Sequence, residues 1–335
     1  MRLLTTSVAL LVASGGVLSV PVVAQADTGG SRLYYIGSTG MWSAPAASPG
    51  HRVRVPKPHE SDGPVYPEAV VPSPTGSRLA ISMHLRRNSG QRIYLTGPRG
   101  QHPVRVARFD NDPDVGQQAS IDGLSWKGQH RLYFSLVSGT SIVIDTVRVP
   151  THGKPGPVRE VPNSAGLYGV TVDPRSNMLA GVQTVGMTCS GSGSVTTLSA
   201  YIVTLNLTTH QRRRLAPVRT PDPAVCGAPG NLAWSPDGSK IAFAGLAYTR
   251  QAPKLLIRVL ETVATGRHQS HRPQPVTPPR RKLTVTTGPA WQSAHSLWFG
   301  ADQDLFQVGL DHGQVSPPHR KTHNPSALKS RISFG

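Results

Sequence analysis

Residues 231–245 read Asn-Leu-Ala-Trp-Ser-Pro-Asp-Gly-Ser-Lys-Ile-Ala-Phe-Ala-Gly, a β-hairpin with its turn written out. Leu232-Ala233-Trp234 is a short apolar strand and Ile241-Ala242-Phe243 its return. Between them Pro236 presets φ for a type I turn, Asp237 can bond its own backbone, and Gly238 supplies the left-handed residue that closes a bulged hairpin.

The same pattern recurs outward from this copy. Glu68–Ser82 repeats it with Thr75 in place of the Asp. Ile121–Ser135 carries Leu124-Ser125-Trp126, Gly128 and Leu132-Tyr133-Phe134. Gly169–Val182 carries Val172-Asp173-Pro174-Arg175-Ser176-Asn177 before Met178-Leu179-Ala180, and Pro289–Gly300 carries Ala290-Trp291 and Leu297-Trp298-Phe299. Arg32–Ile36 is a return strand with nothing before it. Corresponding residues Leu33, Leu79, Leu132, Leu179, Ile241 and Leu297 lie 46, 53, 47, 62 and 56 positions apart. Two further strand-like runs follow most hairpins; in the fifth repeat they are Leu255–Leu260 and Leu283–Thr286. Four short antiparallel strands per repeat, stacked radially, make a β-propeller. Leu328–Phe334 can supply the inner strand missing from the first repeat, so the C-terminal strand closes the ring and leaves no open edge there.

The residues Leu-Ala-Trp-Ser-Pro-Asp-Gly-Ser-Lys-Ile-Ala-Phe at 232–243 resemble the repeat of TolB-type propellers, a repeat shared with the propeller domains of prolyl-oligopeptidase-like enzymes. The resemblance implies six blades across nearly all of the mature chain. It implies no particular ligand, because such propellers host many functions.

Composition agrees with an all-β fold. Gly 34 and Pro 31 in 335 residues mark many turns. Residues 1–26 read as a secretory signal peptide: Arg2, an apolar run to Val23, then Ala24-Gln25-Ala26 on the small-x-small cleavage rule. Thr5, Thr6, Ser7, Gly15, Gly16 and Pro21 weigh against a membrane anchor, and no later run reaches the roughly 20 apolar residues of a span. Residues 27–335 are then one propeller domain, expected outside the cell or at its wall and monomeric. Cys189 and Cys226 are the only cysteines. After export they are expected to form one disulfide, closing a loop that the chain-entropy model values at roughly 4 kcal/mol.

The chain carries 35 Lys and Arg against 17 Asp and Glu. Such an excess favours anionic partners. With strands a to d numbered outward in each blade, the a–b and c–d loops share one face, and the b–c and d–a loops share the other. The second face collects the candidate ligand residues His59, His84, Asp110, Asp112, Asp114 and Asp304 and both cysteines. The first is expected to be basic through Arg267, Arg272, Arg280, Arg281, Arg320 and Lys321, with Arg78, Lys127, Arg131, Arg175 and Lys240 in its a–b turns.

Catalytic signatures are weak. Asp110-Asn111-Asp112-Pro113-Asp114 alternates carboxylates as a calcium loop does, but Gly116 falls one place late and no Glu closes the loop. The His268/His271 and His319/His323 pairs lack a ligand set for zinc. There is no Gly-x-Ser-x-Gly. Trp126, Trp234 and Trp291 fall on inner strands, as core between blades and not as a platform for bases, so no specific nucleic acid is expected. The reading is a secreted, cofactor-free, non-enzymatic propeller that binds a protein or an anionic cell-envelope polymer. The alternative is a propeller hydrolase or lyase with its site at the axial channel mouth, for which His59, His84, Asp112 and Asp304 are the available side chains.

Overall fold

In a computed structural model, the structure describes residues 31–37, 40–60, 64–85, 90–111, 119–138, 141–185, 199–219, 232–248, 253–262, 273–276, 288–302, 304–311, 314–322 and 328–334. Cys189, Cys226, Asp112, Asp114, Arg267, Arg272, Arg280, Arg281 and the run Leu283–Thr286 lie outside them.

The described strands form six antiparallel sheets arranged as the blades of a propeller. Blade one contains β1 (Arg32–Gly37), β2 (Gly40–Pro45) and β3 (Val53–Val55). Blade two is β4 (Val65–Pro72), β5 (Leu79–Leu85), β6 (Gly90–Thr96) and β7 (Val104–Asp110). Blade three is β8 (Ala119–Lys127), β9 (Arg131–Ser138), β10 (Ser141–Arg148) and β11 (Val158–Glu160). Blade four is β12 (Leu167–Val172), β13 (Met178–Val185), β14 (Ser199–Asn206) and β15 (Arg212–Arg219). Blade five is β16 (Leu232–Trp234), β17 (Lys240–Tyr248), β18 (Pro253–Glu261) and β19 (Gln274–Pro275). Blade six is β20 (Ala290–Ser293), β21 (Ser296–Ala301), β22 (Asp304–Asp311), β23 (Gln314–Val315) and β24 (His319–Arg320). The last strand, β25 (Leu328–Phe334), returns to blade one and pairs with β1, Leu33 opposite Phe334 and Tyr35 opposite Ile332. The chain end thus supplies the missing inner strand.

The Ser-Pro-Asp-Gly turn closes as its residues dictate. The Ser235 N–H donates to the Lys240 carbonyl at 2.8 Å, and the Gly238 N–H to the Ser235 carbonyl at 2.9 Å. Gly238 has φ +70°, a conformation a side chain resists. Ser73, Gly76 and Arg78 repeat this geometry in blade two.

Strand alternation then builds the core. In β17, Ile241 and Phe243 face blade four while Ala242 and Ala244 face blade six. In β5, Leu79, Ile81 and Met83 face blade one and Ala80 faces blade three. Large residues on one side and small ones on the other let successive sheets pack at the close spacing of a wheel. Each interface between neighbouring blades holds one hydrophobic cluster, and the ring is complete because Leu33 and Tyr35 of blade one meet Trp298 and Leu305 of blade six. Emptying one such position, as in Phe243→Ala, costs about 3–5 kcal/mol by transfer and cavity terms.

Hydrogen bonds between neighbouring inner strands recur at matching positions. Val172 N–H donates to Ser125 Oγ at 2.9 Å, Trp126 Nε1 to the Val71 carbonyl at 3.1 Å, Trp291 Nε1 to the Ala233 carbonyl at 2.9 Å, and Ser333 Oγ to the Val70 carbonyl at 2.6 Å. The three tryptophans are buried inter-blade core, as their places on inner strands imply.

Two outer strands add to the sequence reading, which placed that of blade five at Leu283–Thr286, outside the described residues, and defined none in blade six. Gln274–Pro275 is the segment that pairs with β18 in blade five, ahead of the expected Leu283–Thr286. In blade six the outer strand comes in two pieces. β23 pairs with Leu310 and Asp311, Pro317 and Pro318 then break the ladder because they have no N–H to donate, and β24 resumes against Phe306 and Gln307.

Candidate functional site

The face formed by the b–c and d–a loops carries the candidate ligand residues, and the structure binds most of the described ones to neighbours. His59 is exposed on the connection from blade one to blade two. Beside it Glu60 is buried and takes Arg105 of β7 at 3.3 Å. His84, near the end of β5, accepts at Nδ1 from the Gln91 amide at 3.1 Å, and the Glu68 carboxylate stands 4.0 Å from the same nitrogen. Glu68 occupies an irregularity between Pro67 and Ala69 in the β4–β5 ladder.

Asp110 spends both oxygens inside its own blade. Oδ1 takes Arg92 at 2.8 Å and Oδ2 takes Arg108 at 2.7 Å. The Arg108 hydrogen bond, then that of Arg92, holds this carboxyl below the usual range against the opposing pull of burial. The Arg92 guanidinium is fully buried and also donates to the Gln91 and Phe109 carbonyls. Gly90 makes this crowding possible, since a Cβ there would stand 2.1 Å from the Phe109 carbonyl oxygen. Asp304 is buried and paired with Arg320.

The expected basic face is reorganised by the same geometry. Arg320 and Lys321 are placed differently from the sequence reading: Arg320 belongs to the resumed outer strand and Lys321 directly follows it, so neither lies in a c–d loop. Arg320 pairs opposite Phe306, and the Lys321 N–H donates to the Leu305 carbonyl. Arg320 therefore reaches Asp304 at the start of β22, toward the other face.

Three turn cations are staples between blades. Arg78 donates to the carbonyls of Gln129 and, at 3.1 Å, Pro150 of blade three. Lys127 donates to the Asp173 carbonyl at 3.1 Å and to that of Ser176, both in blade four. Arg175 donates to the Pro236 carbonyl of blade five at 3.2 Å. Each cation satisfies orphan carbonyls of the next turn.

The arginines that keep their guanidinia outward are Arg131, which the loop-by-loop reading already placed in an a–b turn, and Arg148 and Arg159, which it missed. Arg131 stands directly opposite Arg148, and Arg159 opposite Thr146, on the outer part of blade three. Their signal in the sequence is parity: Arg131 lies two places from the core residue Tyr133, and Arg148 four from Ile144, so they share that side of their strands.

Among the described residues no group of three or more His, Cys, Asp and Glu could hold a metal ion, and no helix is long and apolar enough to cross a membrane.

This architecture is a six-bladed, TolB-like β-propeller. Similar solved structures include one from the nidogen/laminin complex, at TM-score 0.60 and 11% identity over 91% of this chain and 98% of that one. TolB from Acinetobacter baumannii matches at TM-score 0.57 and 12% identity, over 91% of this chain and 66% of its own. A puromycin hydrolase matches at TM-score 0.50 and 12% identity, over 85% of this chain and 42% of its own, so the chain spans less than half of that enzyme. At these identities the likeness is one of fold. No protein-family model matches the chain, and no curated protein matches it.

Proposed function

We propose that the chain is an exported, non-enzymatic propeller that binds a protein or an anionic cell-envelope partner. The observation that carries this reading is the partition of its charge. Three described acids of the candidate face, Glu60, Asp110 and Asp304, are each held by an arginine of their own structure. Arg131, Arg148 and Arg159 of blade three keep their guanidinia outward. Side chains locked in ion pairs hold a scaffold, while unpaired cations on a rigid frame recruit anions. The signal-peptide pattern of residues 1–26 supports export, and a disulfide between Cys189 and Cys226, if formed there, would pin two loops of one face.

The test is retention of the purified mature protein by envelope extract at low and at high salt, with metal analysis of the same sample. A specific partner retained without a stoichiometric metal supports the module. A stoichiometric metal with no retained partner supports instead the alternative hydrolase or lyase at the channel mouth, for which His59, His84, Asp112 and Asp304 are the available side chains.

A further inference from the structure

The geometry points to the groove between blades three and four as the binding cleft for a linear polyanion carrying repeated phosphate or carboxylate groups. This rests on the binding-module reading above and names its ligand class and location.

The groove is defined by its hydrophobic floor, in which Tyr133 and Ile144 of blade three meet Leu179, Val203 and Leu205 of blade four. Residues directly opposite in a ladder share a side of the sheet. Arg131 shares the side of Tyr133, Arg148 opposes Arg131, and Arg159 opposes Thr146, which itself opposes Tyr133. From the other wall, Arg214 opposes Val203 and Arg212 opposes Leu205. Five guanidinia, Arg131, Arg148, Arg159, Arg212 and Arg214, therefore project over one hydrophobic floor.

The carboxylates whose side chains the structure describes on blades three and four are turned away from it. On blades three and four Asp145 and Glu160 oppose each other and Phe134, which places them on the side facing blade two. Asp173 is folded into its own turn, accepting from Arg175 N–H and Ser176 Oγ. β11 thus sends Arg159 into one groove and Glu160 into the other.

Arg131, Arg148 and Arg159 are exposed, and their guanidinia make no hydrogen bond or ion pair to any described residue. Edge protection does not account for them all, because β9 and β10 are interior strands of their sheet. Like charges directly opposite in a ladder are unfavourable, so the Arg131–Arg148 pair weakens the empty protein and is relieved by a bound anion.

The cations span three strands of blade three at about 4.8 Å per strand and continue onto blade four. One small anion reaches only two of them, whereas a chain of spaced anions reaches all. Guanidinium forks suit phosphate and carboxylate alike. Arg212 is already fixed, donating to the Asn163 and Ala165 carbonyls, and sets the cleft's rim. Tyr201 on this wall is capped by the Arg214 guanidinium, 4.7 Å from its ring centroid. It is not free to stack a base, and this argues against single-stranded nucleic acid.

The experiment compares the full mature chain with R131S/R148S/R159S and with a control of equal charge loss, K57S/R99S/K321S. The probes are long-chain inorganic polyphosphate, a polygalacturonate and an oligodeoxythymidylate, titrated between 50 and 200 mM salt. Wild type and control are expected to bind polyphosphate, polygalacturonate or both, and the groove variant to bind at least tenfold more weakly. Its log K against log salt slope should be shallower by about 2, roughly 0.7 for each lost contact. Preference between the first two polymers identifies phosphate or carboxylate as the anion. No binding by wild type, equal weakening in both variants, or tightest binding to the oligonucleotide overturns the proposal. Thermal melts keep the variant interpretable: it should melt no lower than wild type, and polyphosphate should raise the midpoint of wild type alone. If the groove variant still captures a specific envelope protein as wild type does while no polymer binds, the cleft fails and the binding-module reading stands.

Discussion

Trp126 of blade three donates its indole N–H to the Val71 carbonyl of blade two, 3.1 Å away. Trp291 does the same to Ala233 of blade five. Trp234 occupies the corresponding place in blade five, but its Nε1 has no hydrogen-bond partner among the described residues. The three positions share burial and differ in one bond. Trp126→Phe should therefore cost about 1 kcal/mol more than Trp234→Phe. Urea unfolding of the two variants measures the difference, and equal costs would mean that the inter-blade bond adds nothing.

Gly90 is required by close approach. Its φ of +130° and the 2.1 Å separation between a Cβ and the Phe109 oxygen force β6 and β7 apart on substitution. Gly90→Ala should destabilise by about 3 kcal/mol, from backbone strain and overpacking together. Gly128, with φ +56° and open space around it, should lose only about 1 kcal/mol on the same change. Parallel melts decide between steric and purely conformational costs.

Asp145 makes the fold sensitive to pH. Burial, with the Glu160 charge opposite it, pushes its carboxyl up to about 6. An unfolded aspartate titrates near 3.9, so between about pH 4 and 6 the folded chain holds a proton that the unfolded chain has lost. Stability from this group falls as pH rises through that window. Asp145→Asn should match wild type near pH 4 and melt several degrees higher at pH 8. A difference that does not change with pH would rule out this titration.

Asp237 acts in the opposite sense. Partial burial raises its pKa, but hydrogen bonds from Ser235 and Ser239 and the charge of Lys240 outweigh burial and hold the carboxyl below its ordinary value. Its contribution is present above about pH 4 and is lost as pH falls below it. Asp237→Ala should cost about 1 kcal/mol at pH 7 and progressively less in acid. Melting curves at pH 7 and pH 3 read this directly.

The repeat was legible because its information is local. Pro236, Asp237 and Gly238 define a turn, alternation defines the buried faces, and a return strand at Arg32 without a partner calls for the strand at Leu328–Phe334. Charge placement was less legible because it depends on contacts between blades. Arg78, Lys127 and Arg175 read as a basic surface until the next blade's carbonyls are set beside them. Arg320 changes face because Pro317 and Pro318 interrupt a strand that then resumes. The Arg131–Arg148 opposition needs the register of β9 on β10, which their connecting hairpin fixes.

The most direct measurement applies envelope extract to immobilised wild-type protein, R131S/R148S/R159S and K57S/R99S/K321S side by side. The account predicts that wild type and control retain the same anionic envelope polymer and that the groove variant releases it. Equal retention by all three, or retention by none, would contradict the claim that this propeller is a binding module working through the cleft between blades three and four.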